Sequence, residues 1–135
     1  MFNLHPQLQA DTHFIQDLEV SSLLLMNDAN YLWLILVPRQ QNLIELTDLK
    51  FDDQIKVLHE INLIGKIIKD QFAFDKLNIG ALGNVVSQLH IHLIGRKKDD
   101  VTFPKPVWGN HPIKPYQKEE AEALINKIKS LLQNV

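Results

Sequence analysis

Seven consecutive apolar residues, Tyr31 to Val37 (Y-L-W-L-I-L-V), constrain this chain more than any other feature. Successive side chains of a strand point to opposite faces, so a short run with no polar position reads as a strand buried on both sides. Pro38 ends it, because proline offers no N–H to a sheet ladder. A second run, Ser21 to Met26 (S-S-L-L-L-M), precedes it across the turn Asn27-Asp28-Ala29-Asn30, which predicts an antiparallel pair. Neither run approaches the ~20 residues needed to span a membrane.

The remaining elements follow from periodicity. Phe51 to Phe72 reads as a helix in which Phe51, Ile55, Leu58, Ile61, Ile68 and Phe72 make one apolar stripe. Thr47 or Asp48 is the expected cap. Gly65 lies on the stripe, either to admit a neighbouring strand or as a tolerated glycine costing about 1 kcal/mol against alanine. Lys76 to Leu82 and Leu89 to Ile94 read as strands, with Gly83-Asn84 opening their connection. Val101 to Pro115 carries four of the six prolines and is expected to be irregular. Tyr116 to Val135 is the clearest helix: Ala121, Leu124, Ile125, Ile128, Leu131, Leu132 and Val135 form its apolar face, and Glu119, Glu120 and Glu122 favour its N-terminal dipole. Turn-linked strands mixed with two long helices indicate an α+β fold. With no repeat, low-complexity tract or linker, residues 1–135 are expected to form a single domain.

Composition removes several functions. The chain has no cysteine, which excludes disulfides, thiol nucleophiles and thiolate metal sites. Fourteen Lys and Arg against sixteen Asp and Glu give a net charge of −2, so no basic field advertises a nucleic-acid duplex as partner. The N-terminus, Met1-Phe2-Asn3-Leu4-His5-Pro6, lacks the pattern of a signal peptide, and a cytoplasmic protein with no membrane partner is expected.

The chemically informative segment is Gly83-Asn84-Val85-Val86-Ser87-Gln88-Leu89-His90-Ile91-His92-Leu93-Ile94-Gly95-Arg96. Alternation sends Leu89, Ile91 and Leu93 to one face and Gln88, His90 and His92 to the other, in a row spaced ~6.6 Å per two residues. Three readings fit that row. It can be the solvated face of an amphipathic strand. It can be half of a metal site, with a third ligand from His5, His13, His59, His111 or a carboxylate. Or one imidazole is a nucleophile whose neighbours hold an anionic substrate, because neutral imidazole attacks well when one nitrogen is held protonated and the other is aimed.

Q-L-H-I-H-L-I, with Gly83 five residues upstream and the strand K-L-N-I-G before that, resembles the motif His-φ-His-φ-His-φ-φ of the histidine-triad (HIT) proteins, where φ is apolar. The likeness extends to L-I-L-V-P (Leu34 to Pro38) and to the long helix between these strands, covering roughly Leu23 to Trp108. It implies an antiparallel sheet of about five strands packed by a long helix, a C-terminal helix and a homodimer. It also implies a hydrolase, similar to diadenosine tetraphosphate hydrolases, or a nucleotidyltransferase, acting on the α-phosphate of a nucleoside phosphate derivative of the dinucleoside polyphosphate or phosphoramidate class through a covalent nucleotidyl-histidine. The motif itself calls for no metal and no cofactor. A nucleotide-binding module without turnover and a His-x-His metal binder are the alternatives.

By the same resemblance, His90 is the nucleophile and His92 the contact to phosphate oxygens beside the scissile bond. Asn78 is the ribose and phosphate contact, Gly83 the glycine of the phosphate-lining turn, and Asn84 the polar residue after it. Asp28 falls near a carboxylate that binds ribose hydroxyls, and Gln88 stands where the first triad histidine belongs. Val85 replaces a usual Ser or Thr, while Trp33 and Gln41 occupy positions that often carry histidine. Turn or strand-end chemistry explains Asn78, Asn84 and Asp28 equally well. Arg96, Lys97 and Lys98 either supply charge to a phosphate or form an exposed edge answered by Asp99 and Asp100. Trp108 covers the site, packs at a subunit contact or anchors the irregular segment.

Overall fold

A computed structural model describes all residues, Met1–Val135. Its elements are α1 (Pro6–Asp11), β1 (Thr12–Asp17), β2 (Ser21–Met26), β3 (Leu32–Pro38), α2 (Phe51–Phe72), β4 (Lys76–Gly80), β5 (Ile91–Arg96) and α3 (Lys118–Gln133). The five strands form one antiparallel sheet in the order β1-β2-β3-β5-β4. The fold is α+β, as expected. Between β5 and α3 the chain is irregular, through the proline-rich stretch.

Strand β3 sits at the centre and divides its side chains between two cores. Leu32, Leu34 and Leu36 join the cluster that α2 and α3 cover through Val57, Ile64, Ile68, Ile128 and Leu132. Tyr31, Trp33, Ile35 and Val37 join a second cluster on the opposite face, with Leu8, Val86, Ile94 and Val107. That face is roofed by the N-terminal segment, the loop after β4 and the irregular segment instead of by a long helix. The continuous apolar run of β3 therefore serves two cores, and burial of both faces supplies most of the drive to form it.

Three details differ from the sequence expectation. Phe51, Ile55 and Leu58 are 72%, 40% and 55% exposed, while Val57, Glu60, Ile64, Gly65, Ile67 and Ile68 are buried. Ile61, Ile68 and Phe72 of the expected stripe pack on the core, and Val57 and Ile64 replace its N-terminal half there. Neither Thr47 nor Asp48 caps α2: its N-cap is Lys50, without a side-chain bond. Asp48 instead accepts hydrogen bonds from the amides of Ile44 (3.0 Å) and Glu45 (2.8 Å) across a short 3-10 turn, and those bonds hold its pKa below the usual carboxylate value. Strand β1, located by no periodic signal, pairs with β2 and makes the fifth strand.

Gly65 of α2 and Gly95 of β5 each lie where a neighbouring side chain comes close. A Cβ on Gly65 would lie 2.7 Å from Leu77 Cδ2 of β4, so the glycine admits the strand. A Cβ on Gly95 would lie 2.5 Å from the Phe74 ring.

Candidate active site

Strand β5 is fully buried, so the row His90–His92 does not face bulk solvent. His90 immediately precedes the strand and His92 lies within it, opposite Ile35 on one side and Gly80 on the other. The two imidazoles are 7% and 6% exposed and meet edge to face, with ring centroids 4.8 Å apart. The solvated-face reading of the row is thereby set aside.

Each ring has one nitrogen fixed. His90 Nδ1 lies 2.7 Å from the backbone carbonyl of Gln88. A carbonyl only accepts, so Nδ1 carries the proton and Nε2 keeps its lone pair. The indole N–H of Trp33 donates to His92 Nδ1 at 2.9 Å. Burial, and then the neighbouring His90, lower the His92 pKa from 6.5 to about 3, so this ring is neutral at physiological pH.

Two cavities meet at His90. The smaller, about 220 Å³, is lined by Glu45, Thr47, Ser87 and Gln88 together with Leu82 and Gly83. The larger, about 410 Å³, is walled by Trp33, Ile35, Met26, Leu8 and Trp108 and also contains His92, Gly83, Asn84 and Val85. Trp108 packs edge to face on His92 (5.2 Å between centroids) and on Trp33 (6.0 Å), so it covers the site. Gly83, at φ +66, turns the chain between the two cavities in a conformation that favours glycine.

Four sequence-selected residues therefore converge with Gly83: His90, His92, Asn84 and, through its backbone, Gln88. The Gln88 side chain is occupied elsewhere. Its Oε1 accepts from the His5 amide at 2.8 Å and its Nε2 donates to the Asn3 carbonyl at 2.9 Å. This amide holds the N-terminal arm beside the site. Asn78 lies on the same face as His92 but lines neither cavity, and its Oδ1 accepts from Arg96 Nη1 at 3.0 Å.

Asp28 does not join the site. It is 2% exposed, and its Oδ1 accepts from Asn30 Nδ2 (2.8 Å) and from the amides of Asn30 (3.1 Å) and Lys114 (3.3 Å). The turn and the segment before α3 use the carboxylate, which leaves it outside both cavities. Arg96 is likewise not an exposed edge charge. It is 1% exposed and pairs with Asp100 through Nε (2.8 Å) and Nη2 (3.1 Å), with Thr102 Oγ1 at 3.2 Å. Arg96 lowers the Asp100 pKa against the opposing effect of burial. This knot ties β5 to the segment that leads to Trp108.

Several site residues carried no sequence signal as such. Trp33, which by the resemblance stands where a histidine is common, is the polar partner of His92. Gln7, Leu8 and Asp11 of α1 form a wall of the larger cavity. His5-Pro6 was the available clue to α1, since proline suits the first helical position and the His5 Nδ1 accepts from the Gln7 amide at 3.0 Å. No three His, Asp or Glu side chains are grouped so as to hold a metal ion.

A central antiparallel sheet carrying a buried imidazole pair at a glycine turn is the arrangement that the HIT resemblance implies. The HIT domain family model matches residues 7–99, and the chain belongs to this family. It is 40% identical to a histidine triad protein from Marinobacter aquaeolei VT8, with a TM-score of 0.96 over 99% of this chain and 98% of that one. A histidine triad protein from Bradyrhizobium japonicum is also 40% identical, with a TM-score of 0.93 over 96% of each chain. A hypothetical histidine triad nucleotide-binding protein from Sulfolobus tokodaii shares the fold at 21% identity, with a TM-score of 0.70 over 91% of this chain and 85% of that one. Among curated proteins no match is found. No helix is long and apolar enough to cross a membrane.

Proposed function

We propose that this protein hydrolyses a nucleoside phosphate derivative at its α-phosphorus through a covalent intermediate on His90. The observation that carries this reading is the 2.7 Å contact of His90 Nδ1 with the Gln88 carbonyl, which leaves Nε2 as a free base at the junction of two cavities. In the first step the Nε2 lone pair forms a bond to phosphorus, and the bond from phosphorus to the leaving group breaks. In the second, water attacks the same phosphorus, the N–P bond breaks and the imidazole is restored. His92 donates to a phosphate oxygen, and Asn84 with the amides after Gly83 binds the others. Positioning and charge stabilisation supply most of the acceleration in such transfers.

The cavities favour one substrate class. The larger, walled by two tryptophans and aliphatic side chains, suits a nucleobase. Neither cavity is lined by Lys or Arg, and Glu45 lies on the smaller one. A leaving group with further phosphates would find no cation there, whereas an amine is compatible with the carboxylate. We therefore favour nucleoside phosphoramidates over dinucleoside polyphosphates.

A homodimer is part of the proposal. Strand β4 is a sheet edge, Ile79 on it is 51% exposed, and Phe51 and Leu58 of α2 remain uncovered. Sedimentation at micromolar concentration should give the mass of two chains, and a stable monomer would remove this element.

A labelled panel of nucleoside phosphoramidates and dinucleoside polyphosphates tests the reading. Turnover of the phosphoramidates that survives exhaustive chelation and is lost in His90→Ala is the expected result. Nucleotide binding with no turnover of any member would leave a binding module.

A further inference from the structure

We infer that Trp33 is a positioning residue that holds His92 in its Nε2–H form, so that the ring offers a proton, and not a lone pair, to whatever anion lies against it. Indole has a single polar atom, and that atom only donates. Its N–H meets His92 Nδ1 at 2.9 Å, so Nδ1 must be the accepting nitrogen and the ring proton must sit on Nε2. Trp33 and His92 are 4% and 6% exposed, so water cannot readily replace either partner.

The sheet register holds the pair together. Trp33 pairs with Ile94 and His92 with Ile35, which makes Trp33 and His92 diagonal neighbours on one face of adjacent strands. Trp108 packs edge to face on both rings and fixes their tilt.

The consequence is an alternation of roles along two residues. His90 is held with its proton on Nδ1 by a carbonyl, and His92 with its proton on Nε2 by an indole. One ring directs its Nε2 and its neighbour an Nε2–H toward the site. Charging His92 would also set its new Nδ1–H against the indole N–H, in addition to the burial that already disfavours the cation. A histidine at position 33 could donate or accept and would not impose this choice; tryptophan does. The catalytic value of the arrangement rests on the proposed nucleotidyl transfer, whereas the tautomer does not.

Nitrogen-15 NMR of the imidazole rings tests the claim without substrate. In the wild-type protein His92 should show a pyrrole-type Nε2 and a pyridine-type Nδ1 from neutral pH down to at least about pH 5. In Trp33→Phe, which keeps an aromatic ring but no donor, the two tautomers should mix and His92 should titrate at higher pH. On a nucleoside phosphoramidate, kcat of Trp33→Phe should fall about five- to tenfold, the worth of one net hydrogen bond. A wild-type His92 protonated on Nδ1 would overturn the inference, as would an unaltered tautomer and titration in Trp33→Phe. Absence of turnover in the wild type would count against the nucleotidyl-transfer reading alone, because the spectra decide the tautomer independently.

Discussion

Acidification should destabilise this fold through His92, by an amount that follows from its displaced pKa. The ring titrates near 6.5 when unfolded and at about 3 when folded. Between those values the unfolded chain binds a proton that the native protein refuses, so stability is full above the unfolded value and falls as the pH drops below it. The slope is about 1.36 kcal/mol per pH unit, so moving from about pH 7 to about pH 5 removes about 2 kcal/mol. That is a measurable fraction of a domain's ~5–15 kcal/mol. Asp48 and Asp100 are shifted downward from 3.8 and do not titrate in this window. Urea unfolding at the two pH values, for wild type and for His92→Gln, isolates the contribution. The variant should lose about 2 kcal/mol less than the wild type on acidification. Equal losses in the two proteins would refute the placement of His92 as a buried neutral ring.

Three further outcomes are expected. Gly95→Ala drives a methyl into the Phe74 ring, 2.7 Å from its Cγ, and should cost about 1–3 kcal/mol by thermal denaturation. Arg96→Met removes the charged partner of Asp100, which keeps the amides of Thr102 and Phe103, and should cost about 1.5–3 kcal/mol by thermal denaturation. Gln88→Ala removes both bonds to the N-terminal arm, and hydrogen exchange at the His5 amide should accelerate about tenfold.

The parts of this molecule legible in the sequence are those with a clean period. The apolar run ending at Pro38, the limits of α2 and the alternation of His90 and His92 against Ile91 and Leu93 all match the structure closely. Strand β1 escaped because only Ile15 of its six residues is buried and a bulge follows Phe14, so no alternation accumulates. In α2 the period was readable but only half of the face was: Ile61, Ile68 and Phe72 pack on the core as expected, whereas Phe51, Ile55 and Leu58 are exposed and Val57 and Ile64 take the contact with the sheet. The site shows a similar limit. His90 and His92 stand out as residue types, but the use of Gln88 depends on partners more than eighty positions away in the chain. Asp28 carries the chemistry of a ribose ligand and is used by its own turn, a distinction that only the location of Lys114 makes visible.

Trapping the covalent intermediate addresses the central claim most directly. Wild-type protein is mixed with a nucleoside phosphoramidate labelled at the α-phosphorus, quenched in base, digested and examined by mass spectrometry. One nucleotidyl adduct should be found on His90, labile in acid and stable in base as an N–P bond requires. It should be absent from His90→Ala, which should still bind the nucleotide through the remaining contacts. Full turnover by His90→Ala, or a label carried on any other residue, would contradict the account.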